Sequence, residues 1–445
     1  MIKSTLIRNV NIVNEGNIFK GDIRIKEEKI TSIARSISLS ENENVVEGNN
    51  KYLIPGLIDD QVHFREPGLT HKGDIYSESR AAVAGGVTSF IEMPNTNPQT
   101  TTMKKIEQKI EIASRNSVAN YGFMFGGTNS NLDEIKKIDE NKVAGLKLFL
   151  GSSTGNMLVN KKEVIKEIFK SSKLVISVHC EDESIIKKNL NHYLEMYGKN
   201  IPFKFHPKIR STEACFKSSS EAVKLALETG ARLHVFHVST GNEIKLFSKI
   251  PLEEKQITSE VCIHHLWFSD KDYESKGSKI KWNPSIKTEE DRGALWGALN
   301  EDKIDVYATD HSPHTINEKK LPYTESPSGG PLVQHGLLAM LDSVNKGKIT
   351  LEKFIEKASH NPAKIFKIKK RGFLKENFYA DMVLVDLKSE TKVTKNNIMY
   401  KCGWSPFEGH TFESSVIKTW VNGKLVYNKG KIIDNAPGKS LEYIR

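Results

Sequence analysis

The sequence predicts an α/β protein: a (β/α)8 barrel of the TIM type with a small composite β-sandwich domain formed by the N- and C-terminal segments. Its 445 residues exceed one ordinary domain. Short apolar runs alternate with longer helix-like stretches through the middle, and both ends alternate apolar and polar residues between turn signals. We therefore expect residues 1–53 and 371–445 to build the sandwich, and residues 54–370 to form the catalytic barrel.

The two ends of the chain have the period of two that is typical of exposed sheet. Residues 5–10 and 22–25 alternate apolar and polar side chains, and residues 381–386 form another strand-like run. Residues 416–427 are typical of a hairpin that turns at Asn422-Gly423. Because these two β segments flank one large middle region, we expect both ends of the chain to build a single sandwich.

The middle of the chain contains eight apolar runs that predict strands. Eight βα units in about 320 residues match a (β/α)8 barrel with insertions, in which chemistry lies at the C-terminal ends of the strands. Polar side chains cluster at those junctions. The predicted strands end near Arg65, Met93, Gly126, Leu150, His179, His237, Cys262 and Asp310.

The charge pattern excludes an extended nucleic-acid surface. The formal net charge is +10, but lysines and arginines are scattered among acidic residues, and no basic cluster is interleaved with aromatic side chains. A positive mean field favours a small anionic substrate instead. The oligomeric state stays open, and a homo-oligomer is compatible with the sequence.

Cysteine use and hydropathy predict a cytoplasmic protein without a membrane partner. The four cysteines are too widely spaced for a disulfide framework or a CxxC metal knuckle, which indicates a reducing compartment. No run approaches the roughly 18 apolar residues of a membrane span, and the first residues carry charges where a signal peptide needs an apolar core.

Histidines and one aspartate stand where predicted strands end. Gln61, His63 and Arg65 share one face of the first strand, although a lone histidine there is more often structural. His179 and His237 each close an apolar run, and neutral imidazole is a favoured zinc ligand. Two further residues take different interpretations: Asp310 could bind metal and carry a proton, whereas His234, on the face opposite His237, is expected to be structural.

Lys147 lies within an otherwise apolar strand, residues 143–150, where a protonated ammonium is costly. It is either a buried, paired lysine or a neutral lysine that has reacted with CO2. The resulting carbamate would be an anionic oxygen ligand able to bridge two metals. With three histidines and Asp310 at other strand ends, Lys147 completes the predicted metal site.

At this point the residues resemble the dihydroorotase family of cyclic amidohydrolases over nearly the whole chain. The resemblance implies a metal-dependent barrel with a composite β-sandwich, and reversible zinc-dependent cyclisation of N-carbamoyl-L-aspartate to (S)-dihydroorotate in pyrimidine biosynthesis. Five motifs in family order carry it: residues 55–59 (PGLID), 62–68 (VHFREPG), 92–98 (EMPNTNP), 308–314 (ATDHSPH) and 405–409 (SPFEG).

The resemblance also assigns residues to roles. It implies that zinc is surrounded by His63, carbamylated Lys147, His179, His237 and Asp310, with Asp310 also catalytic. It implies that the free carboxylate of the substrate is held by Arg65, Asn95 and His314, with Asn283 on the substrate side and residues 329–331 as a pocket loop. Such a clamp is chemically sensible, because a guanidinium offers a rigid fork to a carboxylate.

Gln61 departs from the family pattern. The first strand normally carries His-x-His, whereas this chain has Gln61-Val62-His63. A neutral amide oxygen is a poorer zinc ligand than imidazole. We therefore expect one firmly bound zinc and a second that is weak or absent.

Two alternatives to dihydroorotase are open. A hydantoinase or allantoinase shares the metal pattern but lacks the clamp of Arg65 and Asn95 in the same form. A non-catalytic homologue that binds or scaffolds a partner is made credible by Gln61. Comparing turnover of dihydroorotate, hydantoin and allantoin separates the enzymes, and absence of both zinc and turnover favours the scaffold.

Overall fold

The structure is a computed structural model that describes residues 4–151, 157–433 and 438–445. It begins with five strands that belong to a sheet outside the barrel. They are β1 (Thr5–Asn14), β2 (Asn17–Lys26), β3 (Lys29–Ala34), β4 (Asn44–Glu47) and β5 (Tyr52–Pro55).

Eight parallel strands then pair in chain order and form the predicted barrel, which is confirmed. Val62 at the end of the first strand bridges to His311 just after the eighth, where His63 N donates to His311 O at 2.7 Å. Every strand ends at a predicted position or up to three residues before it. The strands are β6 (Leu57–Val62), β7 (Val87–Glu92), β8 (Asn120–Gly126), β9 (Gly145–Phe149), β10 (Ile176–His179), β11 (Leu233–Val235), β12 (Ile257–Cys262) and β13 (Val306–Ala308).

The helices lie mainly between the barrel strands. Side-chain caps define several of their starts: Asp74 Oδ1 accepts from Ser77 N at 2.7 Å, satisfying a donor that the helix leaves free. None of them, among the described residues, is both long and apolar enough to cross a membrane. The α-helices are α1 (Ile75–Ala84), α2 (Met103–Asn116), α3 (Leu132–Ile135), α4 (Lys162–Ser171), α5 (Glu183–Tyr197), α6 (His206–Ile209), α7 (Thr212–Thr229), α8 (Ile263–Trp267), α9 (Tyr273–Lys276), α10 (Glu289–Asn300), α11 (Ile316–Lys319), α12 (Gly336–Asn345), α13 (Leu351–Ile355) and α14 (Asn361–Ile365).

The C-terminal strands complete the sheet that β1–β5 begin. The sheet runs β19-β18-β17-β14-β5-β1-β2-β3, with β4 also on β1, so strands from both ends of the chain are hydrogen-bonded together. The join is the antiparallel pair β5–β14, and β15 and β16 form a separate two-stranded sheet. These strands are β14 (Met382–Asp386), β15 (Thr391–Lys392), β16 (Thr411–Phe412), β17 (Ser415–Val421), β18 (Lys424–Asn428) and β19 (Lys431–Ile432). The composite β domain predicted from the two ends is confirmed.

The alternation in β14 explains how this sheet attaches to the barrel. Met382 and Leu384 pack in a core of the sheet itself, whereas Val383 and Val385 belong to the main core shared with the barrel. Successive side chains of a strand point to opposite faces, so one strand serves both cores. The predicted hairpin turns at Asn422-Gly423, both with positive φ (49° and 75°), as a two-residue turn between β17 and β18 requires.

Candidate active site

One cavity at the C-terminal ends of the barrel strands collects nearly all the predicted site residues. His314 is the exception, since it lies behind Arg65 and not on the cavity wall. The lining residues are Gln61, His63, Arg65, Asn95, Lys147, Phe149, His179, His237, Trp282, Asn283, Asp310, Ser312, Ser328 and Gly329.

Three of these residues leave their strands through a left-handed backbone. Arg65, His237 and Asp310 have φ values of 69°, 39° and 46°. This region is costly for residues other than glycine and recurs at functional sites. The turn redirects each side chain as its strand ends, so the strand alternation does not continue to these positions.

His63 is oriented by Asn95. Its Nδ1 donates to Asn95 Oδ1 at 2.7 Å, which leaves the lone pair of the neutral ring on Nε2. That Nε2 lies 3.2 Å from Asp310 Oδ1. Burial lowers the pKa of His63, which favours the neutral ring. Two electron-pair donors therefore face each other, as the ligands of a shared cation do.

Lys147 is buried in the cavity floor. Its side chain is about 1% exposed, and Nζ makes no hydrogen bond with any described residue. Burial lowers the pKa of the amine to about 7. A large share of Lys147 is therefore neutral at physiological pH, which is the form that can react with CO2.

His179 and His237 form a second pair of facing nitrogens. His179 Nδ1 lies 2.9 Å from His237 Nε2, and both rings are buried. His179 Nε2 donates to Glu181 Oε2 at 3.0 Å, and the same oxygen pairs with Arg210. A carboxylate that holds the remote nitrogen of a metal-binding imidazole fixes its orientation and raises its basicity.

Arg65 places a buried guanidinium on the wall of the same cavity. Its Nε donates to Pro313 O at 3.0 Å, and its Nη2 lies 3.1 Å from His314 Nε2. Burial, followed by the positive charges of Arg65 and Lys72, holds the pKa of His314 well below its usual value. The pair therefore carries a single positive charge, which suits one carboxylate.

Gln61 lines the cavity where the resemblance leads us to expect a histidine. Its Oε1 lies 3.8 Å from Cys262 Sγ. The amide is thus directed toward a thiol of β12. The described residues that line the cavity include no histidine besides His63, His179 and His237.

Several residues of the site are not among those predicted from the sequence. Phe149, Trp282 and Ser328 line the cavity, and Glu181 supports His179. Only Glu181 had a usable signal, because it follows His179 by two residues. The aromatic walls and the loop at Ser328 depend on where distant segments meet, which the local pattern does not reveal.

His234 occupies a different place from the one that strand alternation predicts. Its ring lies inside the barrel, between Asp60 and Glu260. Strand alternation does not extend from His234 to His237, because β11 ends at Val235 and His237 has a positive φ. Both histidines are therefore buried in the barrel interior.

The donor set of the cavity fits a zinc ion. Imidazole nitrogens and a carboxylate converge from different strands, and among the described residues His237 Nδ1 and Lys147 Nζ are buried without hydrogen bonds. Zinc prefers nitrogen and oxygen ligands of this kind. The residues present therefore match a metal-dependent site.

Sequence comparison finds relatives along almost the whole chain. The amidohydrolase family profile matches residues 52–426. The dihydroorotase of Pyrococcus furiosus is 34% identical over 425 residues, covering 95% of this chain and 92% of its own. That of Carboxydothermus hydrogenoformans is 33% identical over 436 residues, covering 95% of this chain and 98% of its own.

Structural comparison finds the same architecture. The L-hydantoinase of Arthrobacter aurescens matches with a TM-score of 0.93 at 27% identity, covering 99% of this chain and 100% of its own. The dihydropyrimidinase of Brevibacillus agri matches with a TM-score of 0.90 at 23% identity, covering 99% and 100%, which supports the fold alone. The chain belongs to the amidohydrolase family, in its dihydroorotase group.

Proposed function

We propose that the chain is a zinc-dependent dihydroorotase that interconverts N-carbamoyl-L-aspartate and (S)-dihydroorotate in pyrimidine (UMP) biosynthesis. One observation carries this proposal: buried Arg65 lines the same cavity as the histidine, lysine and aspartate side chains that could bind a metal. A hydrolase for cyclic amides needs the donor set, and a substrate with a free carboxylate needs the guanidinium. The dihydroorotase relatives support this combination.

The proposed zinc ligands are His63, Lys147 as its carbamate, His179, His237 and Asp310. When bound, zinc supplies Lewis acidity, which polarises a carbonyl oxygen and makes water acidic enough to react near neutral pH. Glu181 holds the ring of His179 and Asn95 holds the ring of His63. The protein thus fixes two imidazole orientations before any metal arrives.

Carbamylation of Lys147 follows from its neutral amine. Nζ forms a bond to the carbon of CO2, and the nitrogen releases one proton, leaving an anionic carbamate. Burial disfavours an unpaired ammonium. It favours a carbamate whose negative charge is balanced by a bound cation. The rings of Phe149 and Phe236, with centroids 4.9 and 4.2 Å from Nζ, give this amine apolar surroundings.

The substrate carboxylate is proposed to lie against Arg65 and Asn95 on the cavity wall, with Asn283 elsewhere on the substrate side. His314 is proposed to act on the carboxylate through Arg65, whose Nη2 lies 3.1 Å from His314 Nε2. Asn283 Oδ1 has no hydrogen-bond partner among the described residues, so this oxygen is available to accept from an N–H group of a ligand. Burial lowers the pKa of Arg65 to about 10, and the side chain stays charged at neutral pH. A buried charge that has no ion pair with a carboxylate among the described residues favours a small anionic substrate.

Asp310 is proposed to move the proton. In hydrolysis, water adds to the ring carbonyl carbon, the bond from that carbon to the ring nitrogen breaks, and Asp310 transfers the proton from water to the nitrogen. In the biosynthetic direction the ureido nitrogen adds to the carboxyl carbon and water leaves. Asp310 lies beside His63 at the cavity wall, where such a substrate would stand.

A cytoplasmic location fits this pathway role. The four cysteines, Cys180, Cys215, Cys262 and Cys402, are all free thiols, and three of them are buried. Free thiols are typical of reducing compartments.

The test is turnover of dihydroorotate, hydantoin and allantoin by protein purified without chelators. We expect catalytic efficiency with dihydroorotate to exceed that with either neutral ring by at least about 100-fold, since a hydrogen-bonded charge pair is worth about 3 kcal/mol. Preference for hydantoin would favour the hydantoinase alternative, which the architecture shared with the Arthrobacter aurescens enzyme keeps in view. Absence of both zinc and turnover would overturn the enzymatic proposal.

A further inference from the structure

Three charged or titratable side chains meet inside the barrel, beneath the candidate active site. Asp60 of β6, His234 of β11 and Glu260 of β12 are each 0% exposed. His234 Nε2 lies 3.4 Å from Asp60 Oδ2 and 3.8 Å from Glu260 Oε2. One donor atom from each residue falls within 4.8 Å of the other two. We call Asp60, His234 and Glu260 the inner cluster.

The hydrogen bonds of His234 decide which ring nitrogen faces the carboxylates. The Thr258 hydroxyl donates to Leu233 O at 3.3 Å, so its oxygen accepts from His234 Nδ1 at 2.8 Å. In the neutral ring, which is the form that binds a metal, the lone pair is therefore on Nε2, directed toward Asp60 and Glu260. Three electron-pair donors face one another in the same buried space.

The facing atoms lack any other partner. Within the described part of the chain, neither oxygen of Asp60, nor Glu260 Oε2, nor His234 Nε2 makes a hydrogen bond. Isolated charge in a protein interior is costly unless a partner compensates it. The inner cluster therefore needs a cation at its centre, either a proton or a metal ion.

The spacing distinguishes the two. A proton shared between imidazole and carboxylate draws the heavy atoms to about 2.7–2.9 Å. Ligands about 2.1 Å from a tetrahedral metal stand about 3.4 Å apart. The 3.4 Å contact of His234 Nε2 with Asp60 equals the metal spacing, and both contacts, at 3.4 and 3.8 Å, exceed the proton-bridged one.

We propose that the inner cluster is a second cation site that binds a divalent transition metal of the zinc type. Two carboxylates balance the charge of such an ion, and the imidazole adds the nitrogen ligand that this class prefers. Thr258 holds Nδ1 as a supporting partner, as is usual for ligating histidines. The rings of Phe236 and Phe366, with centroids 5.2 and 5.8 Å from that of His234, form apolar walls.

This site is distinct from the cavity but connected to it. Glu260 Oε1 accepts from His237 N and from Cys262 Sγ, each at 3.2 Å, while Oε2 faces the inner cluster. A cation bound in the inner cluster would therefore fix the carboxylate of Glu260, which accepts the hydrogen bond from His237 N. Asp60 also directly precedes Gln61, so β6 provides a carboxylate for the inner cluster beside the position where the cavity lacks a histidine.

The first test locates the metal in wild-type protein. Crystals of full-length protein grown with zinc, measured on both sides of the zinc absorption edge, should give an anomalous peak about 2.1 Å from His234 Nε2. This peak is separate from any at Lys147, His179 and His237. An ordered water or no density in the inner cluster, with the cavity metal present, would overturn the proposal whatever the catalytic activity.

The second test measures stoichiometry. Protein stripped with a chelator and titrated with zinc should bind one ion fewer per chain in Asp60→Asn and in Glu260→Gln than in wild type. The matched control is Glu243→Gln, a buried glutamate whose oxygens are satisfied by Ser219, Ser239 and Thr240, and it should keep the wild-type count. An unchanged number of zinc ions per chain in both Asp60→Asn and Glu260→Gln would refute the site. If these variants fail to fold, the anomalous map of the wild-type protein decides.

Discussion

Lys147 Nζ lies 4.2 Å from the centroid of the Phe236 ring and 4.9 Å from that of Phe149. These ring faces give some compensation to an ammonium, but no described carboxylate is paired with Nζ and burial lowers its pKa to about 7. The relationship favours a neutral amine that remains shielded from water, which is the state that the proposed carbamylation needs.

Carbamylation should therefore depend on bicarbonate and on pH. Below pH 7 the amine is protonated and cannot attack CO2, and above pH 7 the neutral form predominates. When zinc and bicarbonate are returned to metal-free, CO2-depleted protein, the activity recovered should therefore increase as the pH rises through about 7. Nuclear magnetic resonance with carbon-13 bicarbonate should show one carbamate signal in wild type.

Lys147→Ala should remove that signal and lower kcat by at least about 1,000-fold, since it removes an anionic ligand of the proposed metal. Lys142→Ala, at a surface lysine paired with Glu107, is the control and should keep both signal and activity. Full activity of Lys147→Ala would remove the carbamate from the mechanism.

Arg65 should determine affinity for the substrate carboxylate. Arg65→Lys keeps the charge but loses the planar fork, so binding of orotate should weaken by about 2 kcal/mol, or about 30-fold. Calorimetry should show little change for uracil, which has the same ring without the carboxylate. An equal loss for both ligands would indicate a damaged pocket and would contradict the assignment of a carboxylate clamp.

The sequence predicts the barrel and the metal donors because each signal is local. An apolar run that closes on His179 or Asp310 marks a strand end, and parallel strands bring such ends to one rim. What fails is side-chain direction beyond the strand end: the positive φ of His237 breaks the alternation that would place this residue opposite His234. The inner cluster also escapes prediction, because it requires the relative height of three strands in a closed barrel.

Asp310 should be essential for turnover but not for folding. Asp310→Ala removes the proposed proton carrier and the group beside His63 Nε2, so kcat should fall below detection while the melting temperature stays within a few degrees. Asp133→Ala, at an exposed residue in the first turn of α3, is the control and should leave both unchanged. Near-normal kcat in Asp310→Ala would exclude Asp310 from the reaction.

Gln61→His should strengthen a second metal in the cavity. Imidazole binds zinc better than an amide oxygen, and the Gln61 side chain already lies on the cavity wall. Anomalous maps should show a weak or absent peak near His63 in wild type and a clear one in the variant, with other peaks unchanged. A fully occupied metal near His63 in wild type would show that Gln61 does not weaken this position.

Glu181 should stabilise the folded protein in a pH-dependent way. Burial raises the pKa of its carboxyl, but the charge of Arg210 and the hydrogen bond from His179 outweigh burial and lower the pKa to about 2 from the usual 4.5. A lowered carboxyl pKa gives stability that is present above about pH 4.5 and lost as pH falls toward 2.

Glu181→Gln should therefore reduce the free energy of unfolding at pH 7 by on the order of 3 kcal/mol, because it also leaves the Arg210 charge without this carboxylate. The difference from wild type in urea unfolding should narrow steadily below about pH 4.5. Glu183→Gln, at an exposed position at the start of α5, is the matched control and should show no such dependence. A constant difference between Glu181→Gln and wild type across this pH range would mean that the contribution of Glu181 is packing, not charge.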